Sequence, residues 1–262
     1  IELVITDKNG EIIRTFTRKP EKEDKDSKPP LDDDERKLTA EKGLNLFEWD
    51  MRYPGVERFE KLVLWNDDLK GPRAVPGTYQ ATLTARGQNQ AVEVTILPDP
   101  RVNATHADLQ AQFDFAWAVN RKLTQTHRAI TRIRQTRTQI DDIESRTKDD
   151  DQYADIVAAA NEMKDQLTGI EEALYQTKME ARQDPLNFPI RLNDKLAGIM
   201  RSASFGDHPP SASTIAVSDE LTAAIDEQLA KLDTVLGTDL TSFNELVASY
   251  SLPAVAVNKE QE

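Results

Sequence analysis

Cysteine is absent from the chain, which excludes disulfides, thiolate metal ligands and cysteine nucleophiles together. Histidine is almost as scarce: His106, His127 and His208 are the only three in 262 residues. None stands in an HxxxH or HxxE spacing that would set two ligands on one helical face. Their ordinary reading is three unrelated surface or packing side chains. GxSxG, GxGxxG and P-loop patterns are missing too, so the common acyl-transfer, dinucleotide and phosphate-cradling chemistries have no sequence basis. No stretch approaches the roughly 20 apolar residues of a membrane helix. Positive charge is in deficit: 33 Lys and Arg against 46 Asp and Glu leave a net charge of −13 and a pI near 4.8. Such a surface repels phosphate backbones and anionic lipid headgroups. Neither nucleic acid nor membrane insertion is expected.

What is present is enough for a core, with 38% hydrophobic residues against 30% charged. β-Character is concentrated before residue 98. Ile1, Leu3 and Ile5 alternate with Glu2, Val4 and Thr6, and Asp7-Lys8-Asn9-Gly10 supplies turn chemistry before Ile12, Ile13 and Phe16 return as a second strand. Residues 18–42 are charged, proline-bearing and poor in apolar side chains, which predicts a mobile loop. From Gly43, the residues Phe47, Trp49 and Met51 share one face at period 2, predicting a strand with Trp49 buried. Leu62-Val63-Leu64-Trp65 fits another. Tyr79, Ala81 and Leu83 alternate after Pro76-Gly77, and Arg86-Gly87-Gln88-Asn89 turns into Val92, Val94 and Ile96. Five or six short strands of this kind make a small β-sandwich.

The period changes after Asp99-Pro100-Arg101. Leu109, Phe113, Ala116, Leu123, Ile130, Ile133, Ile140 and Ile143 recur at spacings of a single helical face. They predict one helix from Thr105 to Thr147, ~60 Å long at 1.5 Å per residue, with Thr105 as N-cap and Asp108 completing a variant capping box. Asp149-Asp150-Asp151 breaks the pattern and suits the start of a second helix, which carries Tyr153, Ile156, Ala160, Met163, Leu167, Ile170 and Leu174. Two apolar stripes joined by a short polar turn predict an antiparallel hairpin. Pro185 and Pro189 interrupt the helical pattern. A shorter helix follows through Leu192, Leu196, Ile199 and Met200, then a loop at 206–211. Ser218 is the expected cap of a further helix bearing Leu221, Ile225, Leu229, Leu232 and Leu236, which Gly237 closes. Leu240, Phe243, Leu246 and Tyr250 predict a short last helix, and the tail from Pro253 to Glu262 reads as frayed.

Candidate chemistry is thin. The acidic runs Asp32–Glu35 and Asp149–Asp151 lack the alternating ligands, central glycine and distal glutamate of a calcium loop, so they read as solvated loop and helix start. Glu48 and Asp50 flank Trp49 on an expected strand and face solvent there, without the enclosing cleft that paired catalytic carboxylates need. Asn103-Ala104-Thr105 is a glycosylation sequon that reads better as a helix N-cap. Phe113, Phe115 and Trp117 leave two uses open, packing against a neighbouring element or a carbohydrate platform. No catalytic, cofactor-binding or metal-ligating residue is assigned, and no cofactor is expected.

Four stretches together resemble one bacterial family. IELVITDKNGEIIRTF (1–16) resembles the opening hairpin of a FlgD-like Ig domain, and GLNLFEWDMRYPG (43–55) its Gly-Leu-Asn…Trp-Asp-x-Arg-Tyr-Pro stretch. PGTYQATLTARGQNQAVEVTILPDPR (76–101) is similar to its final strands, and QDPLNFPIRLNDKLA (183–197) to its helical signature. In this order they resemble the C-terminal region of large bacterial BNR/Asp-box, sortilin-like propeller proteins, often described as glycosyl hydrolases or exo-sialidase-like. The resemblance implies an α+β chain, with an Ig-like (FlgD-like) β-sandwich over 1–100 and an antiparallel α-helical bundle with one very long helical hairpin over 101–262. It implies a periplasmic, outer-membrane-associated or secreted parent whose N-terminal β-propeller lies upstream of Ile1. It also implies that a strand normally precedes the one that opens this chain, so that a sheet edge is expected to be unpaired there. The expected role is a non-catalytic accessory module that supports the propeller and mediates protein–protein contact, with homodimerisation through the helical bundle. The alternative is a glycan-binding accessory part of a glycoside hydrolase whose active site sits in the propeller.

Overall fold

A computed structural model describes residues 1–18 and 37–252. Most of the charged loop expected over 18–42, with Asp32–Glu35 inside it, lies outside the described residues, as does the tail from Pro253. The chain is α+β: a four-stranded antiparallel sheet near the N-terminus followed by helices. It divides into two compact units, one of residues 1–62, 66–124 and 197–218, the other of 63–65, 125–196 and 219–262.

In the first unit, β1 (Glu2–Thr6) and β2 (Ile12–Thr17) form the expected hairpin. The Asp7 carboxylate closes its turn by accepting the backbone N–H groups of Asn9 and Glu11, both at 2.8 Å. β3 (Gly77–Ala85) and β4 (Gln88–Ile96) form a second hairpin. Its two-residue turn has φ of 52° at Arg86 and 77° at Gly87, the left-handed pair that matches the twist of antiparallel strands. The sheet order is β2-β1-β3-β4. β1 therefore pairs on both sides, and the unpaired edge expected at the chain start does not occur there, because β3 takes that place. Ile5, Ile13, Phe16, Leu38, Ala74 and Tyr79 form the buried cluster, with Phe47, Trp49 and Tyr53 packed against it.

Strands were expected at 43–51 and 62–65, and neither forms. Met51 adopts φ of 57° and is 47% exposed, so the period-2 face ends at Trp49, which is half-buried rather than buried. Phe47 and Trp49 still turn inward, onto Phe16 (4.7 Å between ring centroids) and Tyr79 (5.8 Å). At 62–65 the backbone is satisfied by side chains rather than by a ladder. Val63 N–H donates to the Tyr175 hydroxyl at 3.2 Å and Trp65 N–H to the Asp194 carboxylate at 2.8 Å, with Leu64 buried between them.

α1 (His106–Thr147) is a single helix of 42 residues. The capping box forms as expected: Asp108 N–H donates to the Thr105 hydroxyl at 3.2 Å, while Thr105 N–H and O–H donate to the Asp108 carboxylate. These two hydrogen bonds hold the Asp108 carboxyl below its ordinary range. α2 (Ala154–Leu174) follows a short 3₁₀ turn in which the Asp150 carboxylate accepts the Gln152 N–H at 3.1 Å. Its buried residues are Ile156, Ala160, Met163, Leu167, Ile170 and Leu174, all on the expected stripe, together with Glu171. α3 is Leu192–Ala203, α4 Ala212–Thr234 and α5 Leu240–Ser249. α1, α3 and α4 each contribute residues to both units.

Three expected helix ends are displaced. α2 stops at Leu174, well before Pro185 and Pro189, because Tyr175 is extended (φ −138°, ψ 143°). Ser218 is buried inside α4, and the helix is capped earlier by Ser211, whose hydroxyl accepts from Thr214 N–H at 3.1 Å. A serine that bonds the free N–H groups of the first turn serves as a cap, and one in mid-helix has no such groups to satisfy. Gly237 does not close the helix. It lies in a π-helical turn, Val235–Asp239, through which α4 continues into α5. No helix among the described residues is long and apolar enough to cross a membrane.

Candidate functional site

The irregular segments of the first unit, 50–58 and 67–74, lie side by side and exchange backbone hydrogen bonds. Tyr53 N–H donates to Pro72 O (3.0 Å), Val56 N–H to Leu69 O (2.9 Å) and Ala74 N–H to Met51 O (2.7 Å). The approach at Gly71 is so close that a Cβ there would meet Tyr53 O at 2.0 Å and Pro54 O at 2.4 Å. Only glycine allows it. Arg52 locks the pair from the side by donating to Gly71 O at 2.7 Å.

This double segment walls a polar cleft of about 220 Å³ lined by Arg14, Asp50, Arg52, Tyr53, Arg58 and Asp67, among others. Arg58 and Asp67 form an ion pair at 2.6 Å, and Asp50 accepts Arg52 N–H at 3.1 Å. Burial, followed by the neighbouring Tyr79, Asp7 and Glu11, pushes the Tyr53 phenol up to about 12. At neutral pH it is a hydrogen-bond donor and an apolar face, not a base. The cleft can hold a small polar molecule by charge-assisted hydrogen bonds and ring contact.

A second groove in the same unit, about 270 Å³, is lined mostly by apolar residues, with Arg52, Arg73, Asp99 and Asp207 among them. Met51, Val75, Leu97, Val102, Leu109 and Phe113 contribute to its walls. Gln112 fixes one side by donating to Ala203 O and Gly206 O at 2.8 and 3.0 Å. Leu97 at its rim is 77% exposed.

The residues considered from sequence fall as follows. Phe113 and Trp117 contact the Tyr53 ring at 4.7 and 5.5 Å between centroids, so of the two uses left open they serve packing. Phe115 is half-buried. Glu48 is exposed, but Asp50, expected to face solvent beside it, is half-buried on the polar cleft because the segment is not a strand. Thr105 is engaged as a cap. His106 and His208 are exposed, and His127 is buried in the second unit with Nε2 3.3 Å from Asn193 Nδ2. No group of three or more His, Asp or Glu among the described residues could hold a metal ion.

The second unit buries a polar network that sequence reading passed over. The Glu171 side chain, 3% exposed, meets Arg134 at 2.7 Å and Arg137 at 2.8 Å. Arg134 also lies over the Tyr175 ring, 5.6 Å from its centroid. Burial raises the Tyr175 phenol, which keeps it neutral beside Glu171. The signal was present: Glu171 sits four residues after Leu167 and three before Leu174, on the apolar stripe itself. Arg52, Arg58 and Tyr53 carried no comparable signal, since only the pairing of segment 50–58 with 67–74 makes a cleft of them.

No protein-family model, curated protein or solved structure matches the chain.

Proposed function

We propose that this chain is a non-catalytic accessory and interaction module, the C-terminal part of a larger exported bacterial propeller protein, and that it works by protein–protein contact. The observation that carries this reading is the apolar groove of the first unit, with Leu97, Val102 and Met51 exposed along it. Exposed apolar side chains grouped around a concavity favour a partner's apolar loop over solvent. In the finer form of the proposal, the sheet is one layer of an Ig-like sandwich and the irregular segment around Phe47 and Trp49 stands for the other. α1 and α2 form a long antiparallel hairpin. Its support is the order of their contacts: Lys164 of α2 pairs with Glu144 of α1, while Glu171, further along α2, pairs with the earlier Arg134 and Arg137.

Leu97→Asp tests the reading. It should abolish co-purification of this chain with the separately expressed propeller region and leave the circular dichroism spectrum unchanged; undiminished binding would sink the groove as the contact. The second reading, a glycan-binding accessory part of a glycoside hydrolase, rests on the polar cleft beside Tyr53. It expects glycan-array signals that Arg52→Ala removes.

A further inference from the structure

β4 is the one strand whose outer edge pairs with no strand among the described residues and whose side chains are open nearly throughout. Eight of its nine residues are exposed, Ile96 being the exception. The opposite edge of the sheet is treated differently. β2 is irregular where Ile5 gives way to Thr6 in its partner, and at its end Leu38 N–H donates to Thr17 O at 3.0 Å. β4 has no bulge, no proline and no lysine or arginine, the devices that normally keep a free edge from pairing. Its register with β3 is unbroken from Gly77↔Ile96 to Ala85↔Gln88.

We propose that β4 is a self-association edge, and that two copies of this chain pair antiparallel through it about a two-fold axis at Val92. The register follows from the hydrogen-bonding phase. In a hairpin with a two-residue turn, the closing pair Ala85↔Gln88 is hydrogen-bonded. Gln88, Gln90, Val92 and Val94 then direct their backbone groups at β3, while Asn89, Ala91, Glu93 and Thr95 direct theirs outward. Only registers that match outward residues with outward residues can form a ladder. Of these, the one centred on Val92 overlaps the whole strand, setting Asn89 opposite the partner's Thr95 and Ala91 opposite the partner's Glu93.

Charge favours the same solution. The chain carries a net −13, so most faces of two copies repel each other. β4 holds a single charged residue, Glu93. Centring on Val92 places it against alanine, whereas moving the axis to Glu93 would oppose two carboxylates. The apolar side chains agree as well. Val92 is 56% exposed, Val94 36% and Leu83 38%, all on the face of the sheet that carries Ile5 and Tyr79. Pairing brings the two copies' Val92 side chains together and joins these residues into one continuous strip across eight strands of sheet. A C2 contact needs such a self-complementary patch.

Because the chain has no native cysteine, single cysteines read the register directly. In the Val92-centred pair the two Val92 Cα atoms are about 4.5 Å apart, within disulfide range, while the two Thr95 Cα atoms are about 20 Å apart. Val92→Cys in the full chain should form a disulfide dimer under mild oxidation at least about tenfold faster than Thr95→Cys. Val92→Lys should lower the light-scattering mass from dimer to monomer without changing the circular dichroism spectrum. A wild-type chain that stays monomeric at the highest soluble concentration overturns the proposal, as does a dimer that survives Val92→Lys. Cross-linking strongest from Ala91→Cys overturns the register. Loss of partner binding in Leu97→Asp has no bearing on these readouts, so the two proposals fail separately.

Discussion

The two units solve the same problem with different materials. In the second unit, Ile130, Ile133, Leu167 and Leu174 show no exposure, and of the charges admitted to that interior Glu171 meets two arginines while Asp194 accepts the Trp65 N–H. The stripe of α2 is closed off there, although Leu186 and Trp65 of the same unit stay exposed. In the first unit the cluster at the sheet is small and partly aromatic, and its second wall is loop rather than strand, held by backbone hydrogen bonds around Gly71. There Leu97, Val92 and Leu83 remain open to solvent. Exposed apolar residues gathered around one groove offer surface to a partner, while single ones such as Leu186 are ordinary. On the proposed reading, contact with other molecules falls to the first unit.

The contrast is sharpest at Gly71. Gly71→Ala should cost about 3 kcal/mol or more, because the methyl would overlap two backbone oxygens that cannot retreat without breaking the loop pairing. Chemical denaturation measures the cost, and hydrogen exchange should rise at Tyr53 and Ala74 while α2 stays protected. A cost below 1 kcal/mol would mean that the double segment is not the wall it is taken for. Glu171→Ala tests the other side. It leaves two arginines facing a buried gap, and should cost about 2–3 kcal/mol, less than a fully buried pair because both guanidinium groups keep some solvent. If it proves neutral, the helical core does not depend on neutralising its charge.

Helix caps give smaller effects. Ser211→Ala should cost about 1 kcal/mol, while Ser218→Ala, in mid-helix, should be close to neutral because alanine is the better helix former. Equal effects would return the helix start to Ser218. The smallest effect is in acid. Asp108 is held below its ordinary range by Thr105, so its capping contribution is full above the unfolded-state pKa and fades as pH falls through the lower folded value. A carboxyl titration by NMR should show this depression, and Thr105→Ala should remove most of it.

How much of this was legible beforehand divides along the same line. α1 was readable nearly to the residue and α2 in its apolar stripe, though not in its end at Leu174, because a 3.6-residue period over many turns averages out local exceptions. The two β-hairpins were readable from alternation and turn chemistry. The segments 43–51 and 62–65 misled because alternation reports which side chains turn inward and not what satisfies the backbone. Phe47, Trp49 and Leu64 do turn inward, but Tyr175 and Asp194, more than a hundred residues on, accept the N–H groups that a neighbouring strand would have taken. The polar cleft was invisible for a related reason: Arg14, Arg52 and Asp67 belong to three separate stretches with no pattern of their own.

The π-helical turn at Val235–Asp239 acts as a phase adjustment. One residue more than an α-turn needs advances everything downstream by about 100° around the helix axis. Phe243 reaches the interior and Tyr250 reaches the Tyr153 ring, 5.6 Å between centroids, in that rotated frame. Wound as an unbroken α-helix with no residue removed, the same sequence would turn its last ten residues by about 100° toward the wrong neighbours. Deleting Gly237, by contrast, should absorb the bulge and leave Phe243 in place. The spacer therefore carries information that no side chain in it supplies.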